Sequence, residues 1–398
     1  MIKAHEIKLY PTKLQESFFV QSCGTSRFSY NWALSKWKEK YERKENVSAY
    51  SLIKELTSIK REQFPWMLNV GKTCPQYSIH NLEKAFKHFF KGNAKYPKFK
   101  KKGVHDSFVT VENLLGFKQN NYKIWIPRLG WVKCAENLRF KGKVNNVTVK
   151  RIANIWFAVI NIDLNEIPAI SENQTIVGVD LGLKHLATTS EGVFYENPKA
   201  LKSKLSALRY QQRRFSKKVN GSNNKQKQQM KLARLHYRVA CIRKDALHKI
   251  TSELVREYGI IVLEDLNVSG MTKNHKLAQV ILDVGLYEFR RQIEYKVKWQ
   301  GKEVIIADRF FASSKICSCC GWKNVTLKLS DRTFKCNVCG NVIDRDLNAA
   351  KNLAEYGSTV RLTGSNACED GSSVSEMRLS PSEKQEIALF DNNLISKL

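Results

Sequence analysis

The spacing of apolar positions changes several times along the chain, and each change predicts a different element. In residues 1–10, Ile7 and Leu9 alternate with charged neighbours, the pattern of a short strand, which Pro11 ends. Thr12 then stands where a helix N-cap belongs, ahead of an inner face carrying Leu14, Phe18 and Phe19. Helical spacing continues through Phe28, Asn31, Trp32, Leu34 and Trp37, with further helical stretches over about 50–62 and 76–90. A turn at Phe64, Pro65, Trp66 and Met67 separates these two stretches. From about 107 to 164 the pattern becomes that of strands, at 108–111, 122–126, 147–149 and 155–162. Turns are expected at Leu129 and Gly130 and at Asn145 and Asn146. This set predicts a small antiparallel β-barrel. Closure by residues 1–10 would make the helical block an insertion.

The second half reads differently. A Pro-containing linker at 166–173 leads into an apolar strand at 175–184 that carries Asp180 near its end. A hairpin follows around Glu191 and Gly192, then two long helices broken at 220–224. A second apolar strand, 259–263, ends at Glu264 and Asp265. An amphipathic helix is expected over 282–299, a strand over 304–307 and a last helical run over 347–353, just after Asp344 and Asp346. Strand, hairpin, helices, strand, strand, helix is the order of a ribonuclease-H-like sheet. Carboxylates at the ends of adjacent rigid strands can hold two divalent cations, the arrangement that phosphodiester hydrolysis needs. Asp180, Glu264 and Asp346 are the candidates. Each has a structural alternative: Asp180 can belong to a turn, only one of Glu264 and Asp265 can point into a given face, and Asp344 and Asp346 can both simply cap the final helix. Asp346 directly abuts the helical run and is the better metal candidate. Asp283 and Asp308 read as structural.

Charge adds a partner. The chain of 398 residues carries a formal net charge of +30, which calls for a polyanion; with 10% aromatic residues, nucleic acid comes before an anionic membrane. The loop of Lys95, Tyr96, Lys98, Phe99, Lys100, Lys101 and Lys102 interleaves cations with stacking rings, though a solvated linker has a similar composition. Residues 201–250 contain fifteen Lys and Arg against a single acid, Asp245. Leu232, Leu235, Val239, Ile242, Ala246 and Ile250 keep helical spacing there, so one face packs. The other, with Arg213, Arg214, Lys217 and Lys218, reads as a phosphate track. No apolar signal core or membrane span is evident, and a soluble, intracellular, reducing setting is expected.

Of the ten cysteines, four form two Cys-x2-Cys knuckles, Cys317/Cys320 and Cys336/Cys339, fifteen residues apart and each followed by Gly. That spacing predicts one structural zinc ion. Cys319, inside the first knuckle, is the one residue able to substitute.

The motifs PTKLQESFF, KYPKFKKKG, GVDLGLK, VLEDLNVSGM, SSKICSCCG, CNVCG, DRDLNAAKNL and, in the tail, SEKQE extend in order over nearly the whole chain. Together they resemble the TnpB proteins of bacterial insertion sequences, RNA-guided nucleases related to compact type V CRISPR effectors. The resemblance implies a RuvC-type α/β domain at 171–311 and 341–363, in which Asp180, Glu264 and Asp346 bind Mg²⁺, two ions being expected. It implies a zinc ribbon at 312–340 with one Zn²⁺. It further implies a β-barrel wedge domain at 1–10 and 95–170, interrupted by a helical recognition domain at 11–94, in an α+β multidomain chain with a flexible tail at 364–398. The partners would be a guide RNA from the element's right end and double-stranded target DNA with a short adjacent motif, with one chain acting per RNA in the bacterial cytoplasm, at the nucleoid. Lys72, Gln76 and Thr110 are loose candidates for motif reading. A nuclease-dead repressor, or a zinc-ribbon DNA-binding protein or transposition regulator, is the rival reading. All three acidic positions are filled, which argues for cleavage. The Asp-Glu-Asp order disfavours a DDE transposase, and a Holliday-junction resolvase needs a fourth carboxylate.

Overall fold

The computed structural model describes residues 1–111, 117–165, 168–328 and 330–366. The chain divides into two units between residues 167 and 168.

In the first unit, β1 (Ile2–Tyr10) precedes three helices, α1 (Lys13–Glu42), α2 (Ala49–Gln63) and α3 (Thr73–Phe90). Six strands follow: β2 (Ser107–Val111), β3 (Gln119–Asn120), β4 (Lys123–Ile126), β5 (Gly130–Cys134), β6 (Lys143–Ile152) and β7 (Ile155–Asp163). All seven strands form one antiparallel sheet in the order β2-β6-β7-β1-β5-β4-β3. The first strand thus lies between β7 and β5, and the three helices fall in sequence between it and the rest of its sheet. The antiparallel sheet meets the sequence expectation; no ladder among the described residues joins its end strands β2 and β3 into a closed barrel.

Local chemistry explains most of these elements. Thr12 and Gln15 form a reciprocal capping box at the start of α1, at 3.3 and 3.1 Å. Ile7, Leu9, Ile124, Ile126, Val132, Val147, Val149, Ile160 and Ile162 fill one core with Phe19. Tyr30, Leu34, Trp37, Leu52, Leu56, Ile79, Leu82 and Phe86 fill a second among the helices. The turn expected at 64–67 is a short 3₁₀ helix, Pro65–Asn69. Two expectations need correction. Asn145 and Asn146 do not turn the chain. They lie within β6, where the register against β7 shifts between Val144 and Asn146. The flanking valines keep the ladder, and the extra residue is absorbed as a bulge. Strand β5 was not expected; Val132 and Cys134 are its inward positions, and Gly130, at φ +87°, makes the hairpin turn into it.

The second unit begins with β8 (Ile176–Asp180), β9 (His185–Thr189) and β10 (Phe194–Glu196), followed by helices α4 (Ala200–Ser216) and α5 (Asn223–Glu257). Next come β11 (Ile260–Glu264), α6 (Val268–Met271), α7 (His275–Val284), α8 (Leu286–Trp299) and β12 (Glu303–Ala307). A small hairpin, β13 (Thr333–Lys335) and β14 (Val342–Asp344), leads into α9 (Arg345–Asn366). The central sheet has the order β10-β9-β8-β11-β12, with β8, β11 and β12 parallel and the other two antiparallel. Its faces are distinct. Val177, Val179, Ile261 and Leu263 pack on Leu254 and Val255 of α5 and on Phe289, Ile293 and Val297 of α8. Ile260, Val262 and Ile305 pack on Leu353 and Tyr356 of α9.

The helix expected over 282–299 is two helices. Gly285, at φ +77°, ends α7 and starts α8. Helix α9 runs well beyond the expected 347–353. Of the expected linker, 166 and 167 lie outside the described residues and 168–173 carry neither helix nor strand. Most of the expected tail, 367–398, also lies outside them. Among the described residues no helix is long and apolar enough to cross a membrane.

Candidate active site and cysteine cluster

The three candidate acids come from three different elements of the second unit: Asp180 ends β8, Glu264 ends β11 and Asp346 sits in the first turn of α9. Strand alternation decides where they point. Ile176, Gly178 and Asp180 share one face of β8; Ile260, Val262 and Glu264 share one face of β11. Both are the face that α9 covers, because a Cβ built on Gly178 would lie 2.0 Å from the Ala350 carbonyl oxygen, and one on Gly357 would lie 2.4 Å from Val262 Cγ2. Only glycine at 178 lets α9 lie this close. Ala350 is one helical turn after Asp346, as Gly178 is one strand repeat before Asp180. The close approach therefore sets the first turn of α9 beside the strand end. Substituting Ala at Gly178 is expected to destabilise the chain by about 1–3 kcal/mol through overpacking, read as a lowered melting temperature with parallel loss of any activity at the acids; an unchanged melting point would contradict this packing.

The electrostatics follow from the crowding. Burial pushes the Asp180 carboxyl well above the usual carboxylate range, and the charges of Glu264 and Asp346 push it further in the same direction. Arg345 pulls the other way. Burial raises Glu264 as well, opposed by a hydrogen bond from Ser313 Oγ. Arg345 Nη2 stands 3.3 Å from Asp346 Oδ1. The neighbouring acids have partners of their own. Asp344 is the helix cap, accepting from the Asp346 and Leu347 amides at 2.9 and 3.2 Å. Asp265 is paired with Arg290 and Arg309. Asp283 accepts from the Leu201 amide and Arg243, and Asp308 from the Phe310 amide. Asp180, Glu264 and Asp346 are spread more widely than a single-ion cage. Among the described residues the only set of three or more potential ligands with all donor atoms within 4.8 Å is the four cysteines. Their spread would suit a pair of divalent ions better than one.

The four knuckle cysteines do converge. Cys317 and Cys339 sulfurs are 3.7 Å apart, and those of Cys320 and Cys336 are 3.5 Å apart. Four thiolates around one tetrahedral ion at about 2.3 Å would stand about 3.8 Å from each other, so the residues fit zinc. Gly321 and Gly340 follow the knuckles at φ +75° and +71°. Burial pushes the Cys317 thiol up, but the amides of Cys319 and Cys320 donate to its sulfur, with Asn341 and Cys339 assisting, and bring it down to about 6. Cys336 is lowered in the same manner by the amides of Cys339 and Val338. Cys319 is exposed and outside the set.

Sequence reasoning missed the residues that tie these two centres together. Asn348 and Asn352, buried on α9, donate to the Ile316 carbonyl at 2.6 and 2.7 Å. The Ser318 amide donates to Asn348 Oδ1 at 3.0 Å. Two asparagines four apart inside an apolar helical run were the available signal, since buried amides require partners.

The candidate nucleic-acid contacts lie elsewhere on each unit. Tyr96 is exposed but rests edge-on against Phe86 and Phe89, and Phe99 is exposed. Lys95, Lys98, Lys101 and Lys102 are exposed, whereas Lys100 is half-buried with Nζ 4.1 Å over the Tyr30 ring and its backbone held by Asn31. Lys72 caps α3, Gln76 lies one turn on, and Thr73 Oγ1 approaches the Thr110 carbonyl at 3.4 Å, so these three candidates share one locus. Arg213, Arg214, Lys217 and Lys218 are exposed at the end of α4.

Comparison with known proteins bears on this arrangement. Residues 159–275 match a family described as "Probable transposase" (OrfB_IS605), and 287–353 match "Cas12f1-like, TNB domain". Residues 1–46 match a "Helix-turn-helix domain", although here they form β1 and the single uninterrupted helix α1. A Cas12f1 chain from a structure titled "Cryo-EM structure of the Cas12f1-sgRNA-target DNA complex" shares the fold at a TM-score of 0.56, with 16% identity over 86% of this chain and 83% of that one. A Streptomyces pristinaespiralis protein named "Putative RNA-guided DNA endonuclease" is 33% identical over 93% of this chain and 91% of its own length. The Escherichia coli K12 protein named "Putative RNA-guided DNA endonuclease InsQ" is 33% identical over 91% of this chain and 94% of its own. Identity at that level over nearly the full length of both sequences means that the chain belongs to the TnpB family of insertion-sequence proteins.

Proposed function

We propose that this chain is an RNA-guided DNA endonuclease of a transposable element, cutting target DNA at one site formed by Asp180, Glu264 and Asp346. The observation that carries the reading is the gathering of three half-buried acids from β8, β11 and α9 at the face of the sheet that α9 covers, with the charges of Glu264 and Asp346 opposing the ionisation of Asp180. Such a cluster has a physical use once cations neutralise it. Two Mg²⁺ ions, when bound, supply an activated water and a clamp on the leaving oxygen. The chain's part is to hold three carboxylates on rigid elements and to keep Asp265 and Asp344 out of the set.

In this reading residues 171–311 and 341–363 form the RuvC-type nuclease domain, with a ribbon at 312–340 that binds one structural Zn²⁺ through Cys317, Cys320, Cys336 and Cys339. Residues 1–10 and 95–170 form the wedge domain, and 11–94 the recognition domain. A single chain holds one guide RNA from the element's right end, and the adjacent motif is read near Lys72, Gln76 and Thr110, while guide pairing reads the rest of the target. The setting is the bacterial cytoplasm, at the nucleoid. The exposed cations at 95–102 and 213–218 grip phosphates. Guide binding should therefore weaken linearly in a log–log plot against salt, each lost phosphate contact reducing the slope by about 0.7; replacing Lys217 and Lys218 by Ala should flatten it by about 1.4. A slope that stays the same removes that surface from the RNA path.

The direct test is to assemble the chain with right-end RNA and follow cleavage of a matched duplex with Mg²⁺. Guided binding without any cutting would favour a repressor instead.

A further inference from the structure

Glu264 is held from outside its own strand. Ser313, 3% exposed, donates its hydroxyl hydrogen to Glu264 Oε1. Ser313 is itself fastened: its carbonyl accepts from Asn352 Nδ2 at 2.6 Å, and its amide donates to the Phe311 carbonyl at 2.9 Å. Asn352 and Asn348 are one turn apart on α9, the helix that carries Asp346 in its first turn. Their amides grip residues 313–318, ending inside the first cysteine knuckle at Ser318. One helix thus bears one acid of the candidate site and, through Asn352 and Ser313, fixes an oxygen of a second.

We propose that Ser313 is a positioning residue for the metal site: anchored to α9 by Asn352, its hydroxyl occupies one oxygen of Glu264 and leaves the other free for one of the divalent cations that Asp180, Glu264 and Asp346 would hold between them. The inference rests on the nuclease reading and adds a residue to it. A carboxylate at the end of a strand has two free side-chain torsions beyond its Cβ, and a ligand that must first be ordered binds its ion more weakly. A buried hydroxyl with a fixed backbone removes that freedom without contributing charge. The ribbon's first strand of chain is pinned at Ile316 and Ser318, which keeps residue 313 in place.

The test uses the full chain bound to its guide RNA, with Mn²⁺ as the probe ion, read by the paramagnetic resonance of free Mn²⁺. Ser313→Ala is expected to weaken Mn²⁺ binding about ten-fold, the loss of one hydrogen bond to a charged group. The Mg²⁺ concentration for half-maximal cleavage should rise by a similar factor, with zinc content and guide RNA binding unchanged. Ser313→Thr, which keeps the hydroxyl, should stay within about two-fold of the parent on both readouts. Wild-type Mn²⁺ affinity in Ser313→Ala, equal impairment in the Thr variant, or loss of zinc or RNA together with Mn²⁺ would each overturn the proposal. Asp180→Ala separates this from failure of the nuclease reading: if Asp180→Ala binds Mn²⁺ as the parent does, it is the site itself that is misassigned, whatever Ser313 does.

Discussion

Asp180→Ala is expected to reduce guided cleavage by at least about 10³-fold, roughly 4 kcal/mol of barrier, while leaving guide RNA binding intact. Asp180 is the acid on which desolvation and the charges of Glu264 and Asp346 act in one direction, two residues beyond the Gly178 that α9 covers. In the proposed site its removal would take away one metal ligand and leave the basic surfaces untouched. The same crowding predicts a stability effect of opposite sign. Without divalent ions, the folded chain gives up the Asp180 proton at a higher pH than the unfolded chain, which releases it near pH 4. Stability from this group is therefore full below the ordinary aspartate pKa, falls as pH rises toward the raised folded value, and is lost above it. Asp180→Asn cannot ionise. In Mg²⁺-free buffer at neutral pH it should melt a few degrees above the parent, and the gap should close as pH falls toward about 4. Calorimetry across that window checks both points; a variant that melts lower at neutral pH contradicts the burial argument.

Cys336→Ser is the second large effect. Structural zinc ties about 10–16 kcal/mol of binding free energy to the folding of a small ribbon. This ribbon has little else, since its apolar centre is Phe334 with Cys317 and Cys336, flanked by Trp322, Leu327 and Ile343. The variant is expected to lose zinc, to be cut by proteases within 316–341, and to cleave DNA poorly because Ser318 and Ile316 no longer hold their places on α9. Zinc analysis with limited proteolysis decides the matter. A protein without zinc that stays resistant in this segment and cuts normally would contradict the ribbon's role.

How much of this was legible before the fold? The cysteine spacing was sufficient, because four thiolates two and fifteen residues apart have few other physical uses. The three acids were legible as strand and helix ends, since apolar runs at 175–180 and 259–264 announce buried strands. What single-residue reading could not supply was which carboxylate of each adjacent pair faces inward. That depended on Gly178, whose missing side chain admits α9, and on Asp344 taking the cap. Asn145 and Asn146 misled because turn preference is local, whereas the β6–β7 ladder is not. Lys100 reads as one cation among several, yet its backbone is bonded to Asn31 and its ammonium covers Tyr30. Pairings across sixty-nine residues leave no trace in local composition. Ser313, Asn348 and Asn352 escaped notice for the same reason.

The most direct measurement is the anomalous scattering of Mn²⁺ in crystals of the chain bound to guide RNA and target strand. The account predicts a pair of manganese ions whose protein ligands, taken together, are carboxylate oxygens of Asp180, Glu264 and Asp346, at about 2–2.3 Å, beside a single backbone phosphate. A manganese pair to which one of these three acids contributes no ligand, or a scissile phosphate seated elsewhere, would contradict it.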